Sequence, residues 1–167
     1  MVAGLALLGT VAAVLVNLEQ IAEAEAQANA VLVGLVGLAD AEHIQRTVVF
    51  FVDNRLVGFV VTVGCSVGLL LVPPISIIAV LLVGGRLSLR RALAACMLIG
   101  SALVLVNQLR LSAAVGSMKL WGFERGYEIS HVFIGSMVTS VGLVLAIAIF
   151  ASVLTKTRIL RTGSNER

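Results

Sequence analysis

The chain has 167 residues, 59% of them hydrophobic and 13% charged, with a net charge of +3 and a mean hydropathy of +1.08. Soluble domains carry about 25% charged residues, so this composition excludes a fully water-solvated surface and predicts an integral membrane protein. Beyond Arg90-Arg91 there is no Lys/Arg cluster, and no zinc-type spacing occurs, which sets nucleic acid aside as a partner.

In chain order, residues 2–18 form a first apolar run. It has no basic leader and a poor signal-peptidase context, so a retained transmembrane helix is expected. "EQIAEAEAQANA", 19–30, is rich in helix formers and carries that helix out of the bilayer. Residues 31–40 are apolar but too short to span, and read as an interfacial or re-entrant piece. "AEHIQRTVVFFVDNR" leads into a second run, 56–83, long enough to cross with tilt. Pro73-Pro74 interrupts it and predicts a kink, because proline removes an amide donor and crowds the carbonyl four residues earlier. "GGRLSLRR" is a basic turn, and the third run, 92–106, is closed by Asn107-Gln108. A polar connection, 107–128, a fourth run, 129–154, and a basic tail, 155–167, complete the chain. The expected fold is all-α: one polytopic membrane domain, a four-transmembrane-helix bundle with a short additional outer helical segment.

Basic residues mark the cytoplasmic side. Arg86, Arg90 and Arg91 between spans two and three, and Lys156, Arg158 and Arg161 after span four, are the expected cytoplasmic anchors. Both termini are then cytoplasmic, and 19–55 and 107–128 lie outside. Cys65 and Cys96 read as small hydrophobes within spans. On this topology their depths differ by roughly 20 Å, whereas a disulfide needs Cα atoms within about 7 Å, so no bond is expected. Lipid offers no hydrophobic drive between helices, and close packing needs small residues. Gly64 and Gly68 in span two, Cys96 and Gly100 in span three, and Gly135, Thr139 and Gly142 in span four supply such faces.

The densest chemistry lies in "WGFERGYEISHVFIGS", 121–136. Trp121, Phe123 and Tyr127 fit an interfacial aromatic belt. His131, four residues before Gly135, falls on the small-residue face of span four and is the one candidate catalytic residue. The plainer reading, which the residues favour, is a histidine hydrogen-bonded at the helix start, to Glu128. In Ser130, His131 and their place at the outer start of a span, the stretch resembles a motif of the lipid phosphatases of the type 2 phosphatidic acid phosphatase kind. That resemblance implies phosphoryl transfer from a lipid. The Pro and Gly of the motif are missing, Arg110, Lys119 and Arg125 do not keep the Lys-to-Arg-Pro spacing, and no second histidine follows, so a degenerate member is what it implies.

No metal or cofactor is expected: His43 and His131 share the outer side without a ligand spacing. The spans hold no deep charge of the sort coupled transporters use, and only Thr62, Ser66 and Ser76 could line a pore in an oligomer. The expected role is a non-enzymatic structural or accessory component of a membrane assembly, in a cell membrane or a virion envelope. Its partners are the lipid bilayer and either further copies of itself or other membrane subunits. A small channel or transporter is the alternative, and a degenerate lipid phosphatase the second.

Overall fold

The computed structural model describes residues 2–130, together with 140, 141, 144 and 148. Two helices open the chain, α1 over Val2–Val16 and α2 over Leu18–Leu35, bent by 74° at Asn17. Asn17 breaks the run by donating its side-chain amide to the Ala13 carbonyl at 2.7 Å, a local bond that competes with helix continuation. The buried positions of α2 are Ala22, Glu25, Ala26, Asn29, Ala30 and Val33, the spacing of a single helical stripe. Its alanines admit close neighbours, and two polar residues sit within the stripe. Helix α2 ends in a Schellman motif: Gly37 takes φ +69°, and the Leu38 amide reaches back to the Val33 carbonyl at 3.0 Å.

Three antiparallel strands follow, β1 (Ala41–Ile44), β2 (Thr47–Val52) and β3 (Arg55–Val60), in that order across the sheet. Both connections are two-residue turns. Asp53 and Asn54 have φ of 50° and 63°, the primed geometry that matches strand twist and that Asp and Asn tolerate. Val48, Phe50 and Val52 point inward along β2, and Phe50 meets Phe59 edge-on. The register pairs Val52 with Arg55 at the turn. Hydrogen bonds alternate from there, so the amides of Val57 and Phe59 face β2 while those of Leu56, Gly58 and Val60 face outward. Among the described residues no strand covers that edge.

A single 3-10 turn, Val63–Cys65, leads into α3 (Val67–Val83). Ser66 caps it, accepting from the Gly68 amide at 3.1 Å. Helix α3 runs continuously through Pro73 and Pro74. After a turn holding Arg86, α4 extends over Leu89–Trp121, 33 residues or about 50 Å. Gly122, at φ +78°, reverses the chain into the short α5 (Phe123–Glu128).

One buried stripe of α4 serves two cores. Ala92, Ala95, Ile99 and Leu103 join Val67, Ile78, Leu82 and Leu87, with α1 residues packed alongside. Leu111, Val115 and Met118 join α2 and the sheet.

The four-span bundle is not what forms. One helix, α4, is long and apolar enough to cross a membrane, and α1 with α2 passes that test only as a bent pair. Just 28% of the most apolar window of α4 is buried within the fold. Its outward face is hydrocarbon, which fits association with a membrane. The expected second span, 56–83, begins instead as a strand and a 3-10 turn, leaving a helix of 17 residues. β-branched and aromatic residues on both sides of a two-residue turn favour a hairpin over a helix. The expected third span, 92–106, does not end at Asn107-Gln108 but continues to Trp121, because both amides find partners on α2. Residues 31–40 are the end of α2 and its cap rather than a separate helical piece. Most of 129–154 and all of 155–167 lie outside the described residues, so the fold supports neither a multi-pass bundle nor a cytoplasmic assignment of the termini.

Candidate functional site

Where β3, the 3-10 turn, α4, α5 and the chain just after it meet, they line a cavity of about 70 Å³. Cys65 contributes from the 3-10 turn and Thr62 from just before it, Arg110 and Met118 from α4, Tyr127 from α5 and Ser130 from the chain after it. Arg110 donates from Nη2 to the Cys65 sulfur at 3.2 Å. Among the described residues the one ion pair is Arg46 with Glu19, so no described carboxylate draws the Arg110 guanidinium away from that sulfur. Both Cys65 and Cys96 are free thiols.

Local sequence explains why Cys65 is presented. Ser66 fixes the helix start at Val67, which leaves Cys65 on the turn before it, ahead of the N-terminal amides of α3. Arg110 lies beyond Asn107 and Gln108, in the half of α4 that packs on α2 and the sheet. The far wall depends on Gly126. A Cβ there would overlap the backbone of Ser117 and Met118, so only glycine lets α5 lie flat against α4. Phe123 stacks on Tyr127 at 6.1 Å, and Ser130 donates to the Tyr127 carbonyl at 2.9 Å.

Behind the pocket lies a buried polar seam. The Glu25 carboxylate accepts from the Val67 amide at 3.0 and 3.1 Å and from the Asn107 side chain at 2.7 Å. Asn29 donates to Gln108 Oε1 at 3.2 Å and to Ser112 at 3.1 Å, and Gln108 donates to the Glu25 carbonyl at 3.4 Å. Among the described residues, Asn29 and Asn107 each keep a buried Oδ1 without a hydrogen-bond partner.

The residues singled out from sequence are dispersed. Gly68 is buried against Leu18 and Ile21, and Gly100 and Cys96 face the core between α3 and α4. Gly64 sits in the 3-10 turn, off the helix that carries Gly68, with open space above its Cα. Arg86 and Arg90 are exposed at the α3–α4 turn, with Arg91 half-buried beside them. His43 is exposed on β1. His131, Gly135, Thr139, Gly142, Lys156, Arg158 and Arg161 lie outside the described residues.

Cys65, Arg110 and the Glu25 seam are what sequence reasoning missed. Cys65 stands beside a serine that opens an apolar run, the signature of a residue just before a helix rather than inside one. Asn107, Gln108 and Arg110 form a polar cluster between two apolar stretches of helix-forming sequence, and mark a buried face as readily as a helix end. Comparison with protein-family models, with curated proteins and with solved structures finds no match to this chain.

Proposed function

We propose that the protein is a membrane-bound thiol enzyme that transfers an acyl group through Cys65 at the bilayer surface. The observation that carries this reading is the Arg110 contact to the Cys65 sulfur inside a pocket. A cation donating to a cysteine sulfur is the setting in which that sulfur serves as a nucleophile. The sulfur attacks the carbonyl carbon of a donor, and the carbonyl electron pair moves to oxygen, beside the remaining donors of Arg110. Collapse expels an amine or alcohol, which takes up a proton, and leaves a thioester on Cys65. Water or an acceptor amine then attacks the thioester, gives up a proton and restores the thiol. His131, next in the chain after Ser130, is assigned these proton transfers. The outward amides of Leu56, Gly58 and Val60, on a strand that runs into the pocket wall, favour an extended polypeptide as donor.

In this reading the first half of α4 crosses the bilayer, with α1 and α3 packed beside it. Gly4 packs against Ala79 and Val83, so the N-terminus lies on the same side as the basic turn. Arg86, Arg90 and Arg91 assign that side to the cytoplasm, and Lys156, Arg158 and Arg161 assign the C-terminus there too. The pocket then opens on the opposite face.

The test is alkylation of the nanodisc-embedded protein by iodoacetamide, followed at each cysteine by mass spectrometry. Cys65 is expected to react at least about 10-fold faster than Cys96, and Arg110→Gln to remove that advantage. Equal rates in the unsubstituted protein would sink the proposal. With p-nitrophenyl acetate, His131→Ala is expected to keep the acylation burst and slow turnover.

The second reading is a non-enzymatic component that assembles with itself or with other membrane subunits. The exposed stripe of Met97, Leu105 and Leu109 on α4 favours it. A stoichiometric partner in the nanodisc, together with unselective alkylation, would move the weight there.

A further inference from the structure

Resting on the thiol-site reading, we propose that Glu25 is the positioning residue that holds Cys65 and Arg110 in register. Glu25 is 7% exposed and has no cationic partner among the described residues. Its three accepted bonds all go to groups that flank the pocket pair. The Val67 amide lies two residues after Cys65 and opens α3, directly after the turn that presents the sulfur. The Asn107 side chain lies one helical turn before Arg110 on α4. One carboxylate thus ties the nucleophile's turn to the guanidinium's helix. A carboxylate is at home at the N-terminus of α3, where the unpaired amides favour negative charge, but a cap alone has no use for Asn107. Gln108, held by Asn29 and by the Glu25 carbonyl, repeats the tie between α2 and α4 on the next residue.

The orphan oxygen of Asn107 makes the inference testable. Glu25→Gln keeps an oxygen for the Val67 amide and turns an NH2 toward Asn107. Asn107 can then flip its amide and accept through Oδ1, which has no partner to lose. Glu25→Gln is therefore expected to keep the Cys65 alkylation rate within about 3-fold, whereas Glu25→Ala lowers it by about 10-fold or more and leaves Cys96 unchanged. Glu25→Ala added to Arg110→Gln is expected to slow Cys65 no further than Arg110→Gln alone, because both remove the same contact. If Glu25→Ala does not fold, Asn107→Ala takes its place: the Val67 cap survives, and Cys65 still slows by about 3-fold or more. An unchanged or faster Cys65 in Glu25→Ala, or full additivity with Arg110→Gln, would overturn the positioning role while the unsubstituted protein's preference for Cys65 kept the thiol site intact. Loss of that preference in the unsubstituted protein would instead remove the thiol site itself.

Discussion

The two halves of α4 are buried by the same stripe and do different work. Along the first, Ala92, Ala95, Ile99 and Leu103 join an apolar cluster with side chains of α1, α2 and α3. Along the second, Asn107 and Gln108 are hydrogen-bonded to α2 before Leu111, Val115 and Met118 return to hydrocarbon. Apolar contact within a lipid layer is weakly directional, since acyl chains are equally good neighbours. Buried hydrogen bonds leave one arrangement fully satisfied and penalise the rest. The pocket lies against the half that has them, where a sulfur and a guanidinium can be held at a fixed separation.

This contrast can be broken at graded cost. The largest effect is expected for Gly126→Ala. Overlap with the α4 backbone costs about 3 kcal/mol and lifts Tyr127 and Ser130 from the pocket, read as a lower melting temperature and a slower Cys65 alkylation. Asn107→Leu removes a bond to a buried carboxylate and is expected to cost about 2 kcal/mol, with a loss of Cys65 selectivity on top. In the apolar half, Ile99→Val removes a methylene from a fully buried side chain. About 1 kcal/mol is expected, and the Cys65 to Cys96 rate ratio should not move; if it does, the two halves are not separable. Least of all, Arg46→Ala deletes the exposed pair with Glu19, and under about 0.5 kcal/mol is expected in denaturant titration.

What could be read in the sequence follows the same division. Apolar runs announce membrane affinity whatever they fold into, and the one candidate membrane helix agrees with that coarse reading. They do not announce their secondary structure: "TVVFFVDNRLVGFVV" is hydrophobic enough to pass as the approach to a span, and its alternation shows only once Asp53-Asn54 is taken as a hairpin turn. Asn107 and Gln108 read as a helix end because polar side chains in an apolar run suggest solvent. Their partners, Glu25 and Asn29, lie some eighty positions earlier in the chain. Pairing at that separation leaves no local trace. The same holds for Cys65 and Arg110, each unremarkable alone and informative only as a pair.

The length of α4 has a consequence for where chemistry can happen. From Leu89, beside the basic turn, Arg110 stands about 32 Å along the helix, close to the roughly 30 Å depth of a bilayer's hydrocarbon. On the proposed reading the turn sits at one headgroup layer and the sulfur level with the other. On that reading the helix would act as a ruler, selecting in a donor fixed in the same membrane the bond that lies at that height. Thicker bilayers would then draw the pocket below the surface and thinner ones would raise it clear, so the proposed activity would depend on lipid chain length.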